Sequence, residues 1–277
     1  MVRIRRIARM SAAEARAAMA APRPDQGFTS RRVTVDGLKL HVRSRTGSPE
    51  PGIPWVLLHG LAVSHRYLMP TALALPGDVH VPDLPGFGLS QSPRGAFDVI
   101  EHATAMAGWM DAEGLSGAVL LGNSFGCQVA VELAVRRPEL ACALVLVGPT
   151  VDPDAPTAAG QAWRWVRDLA HEDPRQAQII ARDVRDAGVP RVLRTLRHST
   201  RHPMAQRLPL VAAPILVLRG EHDPIAPPSW IARAAGLAAT GRSMSLARAA
   251  HNAVTTAGPA LAAEAVAFVN HRGVVSR

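Results

Sequence analysis

The sequence carries one lysine, one tyrosine and two cysteines in 277 residues. Two cysteines, Cys127 and Cys142, cannot build a disulfide framework, and they fit a reducing, cytoplasmic compartment. No apolar run approaches the ~18 residues of a membrane-spanning helix, so stable insertion into a membrane is not expected. Aromatic residues make up 4% of the chain, too few for base-stacking platforms. The net charge of +9 invites a nucleic-acid reading, but no binding motif accompanies it. Lys39 is the only lysine, and the arginines run from Arg3 to Arg277 without forming one dedicated stripe. Eleven histidines are scattered without an H-E-x-x-H or paired-cysteine spacing, so no metal is expected. Gly86-x-Gly88 lacks a third correctly spaced glycine, which excludes a dinucleotide fingerprint, and no cofactor is expected.

What is present is 48% hydrophobic residue content in a chain long enough to bury a large core. Residues 1–27 form a basic, alanine-rich tail in which Arg9, Glu14 and Arg16 interrupt any secretory-type apolar segment. Val33 and Val35, then Asp36-Gly37, then Leu38, Leu40 and Val42 spell a hairpin. Short apolar runs follow at 55–58, 79–81, 118–121, 143–147, 215–218 and 242–246. Helical stretches separate them, among them 97–113, 124–136 and 255–269. This alternation predicts an α/β fold, a mostly parallel central sheet with helices on both faces. Residues 28–150 and 211–277 make that core. The interval 151–210 has no convincing strand and reads as a helical insertion. Within it Ala159, Ala162, Trp163, Val166 and Leu169 recur at helical spacing, and Val189, Val192, Leu193 and Leu196 form a second apolar face.

Chemistry concentrates at Gly122-Asn123-Ser124-Phe125-Gly126, a G-x-S-x-G run between an apolar strand and an apolar helix. A serine on so sharp a turn is presented above the sheet, and glycines two before and two after it relieve crowding against neighbouring backbone. The new helix also aims unpaired N–H groups at the point where an oxyanion would develop. A serine hydroxyl still needs a base, and the base an orienting acid.

With this elbow, His59-Gly60, Asp83-Leu84-Pro85-Gly86-Phe87-Gly88-Leu89-Ser90, Gly220-Glu221-His222-Asp223-Pro224-Ile225 and His251 follow successive strands. In that order the chain resembles the α/β-hydrolase superfamily over roughly residues 30–270. The resemblance implies a serine hydrolase acting on esters of small to medium acyl substrates. Carbon–carbon bond hydrolysis of oxo-dienoic acids, perhydrolase or amidase activity, and a non-catalytic ligand-binding role are the alternatives. It implies Ser124 as nucleophile, Asp223 as acid and His251 as base, with the backbone N–H groups of Leu61 and Phe125 as oxyanion donors. Asp152 and Asp154 are rival acids. His59 and Asp83 read as loop-shaping residues, and His222 as a hydrogen-bonding one. The insertion is then a cap whose Trp163 and Trp165 are candidate substrate contacts, and an inward arginine there would select a carboxylate-bearing substrate. The implied partner is a small molecule, and a homodimer is left open.

Overall fold

The computed structural model describes residues 27–47, 52–155, 157–168 and 176–271. The tail at 1–26 lies outside them, as does the side chain of Trp165. Eight strands, β1 (Thr29–Val35), β2 (Leu38–Arg45), β3 (Trp55–Leu58), β4 (Val79–Pro82), β5 (Ala118–Asn123), β6 (Ala141–Val147), β7 (Ile215–Gly220) and β8 (Gly241–Leu246), form one sheet. Its order is β1-β2-β4-β3-β5-β6-β7-β8. The strands from β3 to β8 run parallel, and β2 is antiparallel to both its neighbours. The hairpin turns where Asp-Gly predicts, with Asp36 and Gly37 both at positive φ and Val35 paired to Leu38.

The apolar runs are continuous because the sheet is covered on both faces, and strict alternation divides them. Val56, Leu58, Leu120, Leu144, Leu146 and Val217 enter one core, while Trp55, Leu57, Val119, Leu121, Val145, Val147, Leu216 and Leu218 enter the other. Helices α1 (His65–Ala74) and α10 (Gly258–His271) supply Leu68, Met69, Leu261 and Ala265 to the second core. The first core takes Met106 and Trp109 from α2 (Val99–Ala112), Val129 and Leu133 from α3 (Phe125–Arg136), and Trp230 from α8 (Pro228–Leu237). A capping box between Asp98 and Glu101 starts α2 two residues later than the apolar pattern suggests. The expected closing helix is two: α9 (Ala253–Thr256) and α10 part at Ala257, where Gly258 packs hard against the backbone of Pro70.

Between β6 and β7 stand α4 (Ala158–Asp168), α5 (Ala177–Ala187), α6 (Val189–Arg201) and α7 (Met204–Arg207). They are the helical cap insertion. Its apolar stripes do not all turn inward. Val192 and Leu196 pack on the core, whereas Trp163, Val166, Val189 and Leu193 are exposed. Periodicity identifies an apolar face without saying what lies opposite it.

Candidate active site

Ser124 follows β5 and caps α3 with φ 52° and ψ −116°, a conformation that costs a non-glycine residue free energy and is held by its surroundings. Its N–H donates to Val147 O at 2.9 Å. A Cβ at Gly126 would lie 2.1 Å from Leu58 O, and one at Gly122 would lie 2.5 Å from Gly126 O. Both glycines are therefore required by close backbone approach. Phe125 opens α3, so its N–H has no intrahelical acceptor. Leu61, three residues past β3, lines the same narrow pocket as Ser124 and Phe125.

Asp223 follows β7, and His251 follows β8. Asp223 Oδ2 lies 3.0 Å from His251 Nδ1. Asp223 Oδ1 accepts from Ile225 N at 2.8 Å and Ala226 N at 3.1 Å, so the carboxylate is oriented from both sides. Arg219, buried beneath this loop, donates to the carbonyls of Asp223 and Ala226. The loop after β8 meets the elbow through Tyr67. Its hydroxyl lies 2.9 Å from Asn123 Oδ1 and 2.6 Å from Asn252 Oδ1, linking the residue before Ser124 to the residue after His251. Between the two halves sits Gly148, at φ +56°, where a Cβ would be 2.9 Å from His251 Nδ1 and 3.0 Å from Asp223 Oδ2.

The other candidates are engaged elsewhere. Asp152 is buried and paired with Arg164 at 2.7 Å, and Asp154 is exposed. Asp83 accepts from His41 Nδ1, from His65 N and Nδ1, and from Leu89 N. Despite burial, the two histidines hold its carboxyl far below the usual range. His59 donates from Nδ1 to Gly60 O and accepts Leu84 N–H at Nε2, and burial lowers its pKa. It joins the loops after β3 and β4 as a neutral ring. His222 is exposed. Cys127 is buried with its thiol donating to Gly122 O, and burial pushes its pKa up; that of Cys142 is pushed up to about 11.

The pocket holds about 240 Å³ of empty space including its open mouth, and Leu61, Ser124, Phe125, Thr150, Val151, Leu196 and Ser199 line it. Leu196 and Ser199 are the cap's contribution, and Ser199 is held by Gln128 of α3 in two hydrogen bonds. Trp163 is not among the lining residues and faces outward. Asp168, at the end of α4, is buried and accepts the backbone N–H of His251 at 3.3 Å. Asp168, Gly148, Tyr67 and Asn252 carried no local signal of a role at the site.

A serine on a strand–helix turn at the carboxyl edge of a doubly covered parallel sheet, with a buried Asp–His pair on the loops at the same edge, defines the α/β class with its site at the strand ends. A family model described as alpha/beta hydrolase fold matches residues 54–184. A 2-hydroxymuconate semialdehyde hydrolase of Pseudomonas sp. (strain CF600) is 37% identical over 117 residues, 39% of this chain and 40% of that protein. Lipase LipV of Mycobacterium tuberculosis (strain ATCC 25618 / H37Rv) is 35% identical over 119 residues, 42% of this chain and 44% of that protein. These matches thus span less than half the length of either relative. A thermophilic esterase from Thermogutta terrifontis superposes with a TM-score of 0.74 at 22% identity, covering 90% of this chain and 100% of that one. Over residues 54–184 the chain matches the alpha/beta hydrolase family model, and the described residues carry the α/β-hydrolase fold.

Proposed function

We propose that this chain is a serine hydrolase that cleaves uncharged esters of small to medium acyl groups through a covalent acyl-enzyme. The observation that carries the reading is the Asp223–His251 pair, held at 3.0 Å on the loops after β7 and β8, at the same edge of the sheet as Ser124 strained on its elbow. Asp223 fixes the tautomer that bears its proton on Nδ1, so Nε2 takes the proton of Ser124 as Oγ attacks the ester carbonyl. The tetrahedral oxyanion accepts from the N–H groups of Leu61 and Phe125. Its collapse expels the alcohol, which leaves with the proton from His251. Water then enters by the same route, gives its proton to His251 and releases the acid.

The preference for an uncharged ester rests on the lining of the pocket, which includes no charged residue among the described residues. Among the described residues the partly buried cap arginines are already committed. Arg164 binds Asp152 and Ile225 O, Arg191 binds the carbonyls of Pro93 and Gly95, and Arg207 binds Glu132. The narrow pocket favours a short acyl chain. A second reading, carbon–carbon hydrolysis of an oxo-dienoic acid, is favoured by the name of the Pseudomonas relative. The Gly-Asn-Ser run shared with such enzymes does not decide the matter, because Asn123 spends its amide on Val147 O and its carbonyl oxygen on Tyr67.

The test is a panel of p-nitrophenyl esters of rising chain length assayed beside an oxo-dienoate, with fluorophosphonate labelling of wild type and Ser124→Ala. Turnover of short esters, with labelling lost in the variant, is the expected result. Turnover of the oxo-dienoate alone would move the chain to the second reading, and equal labelling of both proteins would remove Ser124 as nucleophile.

A further inference from the structure

The cap helices leave several large apolar side chains in solvent while burying polar ones. The described side chains that α4, α5 and α6 bury are Asp168, Asp183, Ala187, Thr195 and Ser199, four of them polar. Their exposed residues include Trp163 at 64%, Val166 at 56%, Val189 at 56% and Leu193 at 60% of full accessibility. Helix α4 exposes Trp163, Val166 and Arg167 at positions i, i+3 and i+4. Helix α6, its neighbour, exposes Val189, Leu193, Arg197 and Arg201 at four-residue spacing, with Arg194 beside them. Neither helix exposes an acidic side chain: the one acid of α4 is the buried Asp168, and α6 has none. Large apolar residues standing in water among cations of one sign ask for an occupant that is itself both apolar and anionic.

We propose that the outer faces of α4 and α6 dock the cap on an anionic lipid surface, with Trp163, Val166, Val189 and Leu193 entering the headgroup–acyl boundary and Arg194, Arg197 and Arg201 meeting lipid phosphates. Charge decides between the candidate occupants. A second copy joined face to face by a two-fold axis would oppose arginines to arginines. The chain's own N-terminal segment, with Arg3, Arg5, Arg6 and Arg9, repels the same face. A negative leaflet attracts it, and arginine stems lie along apolar surface while their heads reach phosphate. The proposal is independent of the reaction catalysed. It adds a place from which an apolar substrate reaches the pocket beneath Leu196 and Ser199.

The experiment is co-sedimentation of the full chain with phosphatidylcholine vesicles and with vesicles containing one third phosphatidylglycerol, across a range of salt. Binding to the anionic vesicles only, weakening with salt, is expected. Trp55, Trp109 and Trp230 are buried, so a blue shift of tryptophan emission on binding reports the cap. The triple variant Arg194→Gln, Arg197→Gln, Arg201→Gln should bind roughly 100-fold more weakly. Leu193→Ser should bind more weakly without altering hydrolysis of a soluble ester. A four-fold variant of Arg3, Arg5, Arg6 and Arg9 to Gln separates the tail from the cap. Binding abolished by that variant and untouched by the cap variants would overturn the proposal, as would no binding to either vesicle. So would a dimer that Leu193→Ser dissolves, or binding to soluble polyglutamate as tight as to vesicles with no emission shift.

Discussion

The elbow and the cap lie on opposite sides of one pocket and are held by opposite kinds of contact. Around Ser124 the chain is locked by backbone: Gly122 and Gly126 touch carbonyls, α3 is buried almost all round, and two apolar cores clamp the sheet. The cap is held by polar latches. Asp183 accepts from Ser64 and Arg66, Ser199 pairs with Gln128, Arg164 with Asp152, and Glu132 receives Arg207 and His202. Close-packed apolar contact is unforgiving of change, whereas a hydrogen bond can be exchanged for water at about 1 kcal/mol. The difference assigns shape to the core and adaptability to the cap, which suits a fixed catalytic edge beneath a surface that admits substrate.

The strongest way to break that contrast is to exchange the acids. Asp223→Asn is expected to lower kcat by roughly 10⁴-fold while the fold persists, because the imidazole loses the carboxylate that fixes its tautomer. Asp152→Asn, which loosens the Arg164 latch, should cost less than ~10-fold. Steady-state kinetics on both variants checks the pair, and the reverse ranking would put the acid on the cap side.

Next come the glycines. Gly126→Ala forces a Cβ to within 2.1 Å of Leu58 O, and about 3 kcal/mol or more of stability should go with it. At Gly188, between α5 and α6, φ is +80° but nothing approaches a Cβ closer than Pro190 Cδ at 4.0 Å. With ψ at 133° the residue lies outside the left-handed helical well, so Gly188→Ala should cost about 1–3 kcal/mol of backbone strain alone. Denaturant melts of the two variants measure the difference directly.

The third prediction concerns His102, buried in α2 among Phe87, Phe97 and Phe125, with no hydrogen-bond partner for either ring nitrogen among the described residues. Burial pushes its pKa down to about 3. The unfolded chain, with a histidine near ~6.5, then binds the extra proton between these values, so stability falls as pH drops from about 6.5 toward 3. At pH 5 this group alone should remove about 2 kcal/mol, the product of ~1.5 pH units and ~1.4 kcal/mol per unit. His102→Leu should flatten that acid limb in melts from pH 8 to pH 5 and raise stability at pH 8 by about 1 kcal/mol. An unchanged acid limb would place the sensitivity elsewhere.

The smallest expected effect joins the two regions. Asp168→Ala removes the cap's acceptor for the His251 N–H and should lower kcat about tenfold with little change in KM. Asp168→Asn keeps an acceptor and should restore most of the rate. A KM effect without a kcat effect would make Asp168 a cap latch like the others.

What the residues announce along the chain is whatever the backbone decides locally. G-x-S-x-G between a strand and a helix specifies the elbow, since only glycine clears Leu58 O and Gly126 O. Asp36-Gly37 specifies a hairpin turn, and continuous apolar runs specify strands buried on both faces. The order of motifs already set Ser124 beside Asp223 and His251 as an expectation. What only the tertiary structure decided depends on partners far away in sequence. Asp168 meets a backbone N–H 83 residues later. Gly148 packs against the Asp223–His251 pair. Arg164, Arg191 and Arg207 are spent on Asp152, Ile225, Pro93, Gly95 and Glu132, where the sequence left an inward arginine open. The apolar stripe of α4 left open what lies opposite it, and Trp163 faces outward. A helix's periodicity records that one face differs from the other, and only the packed neighbours determine which face is buried.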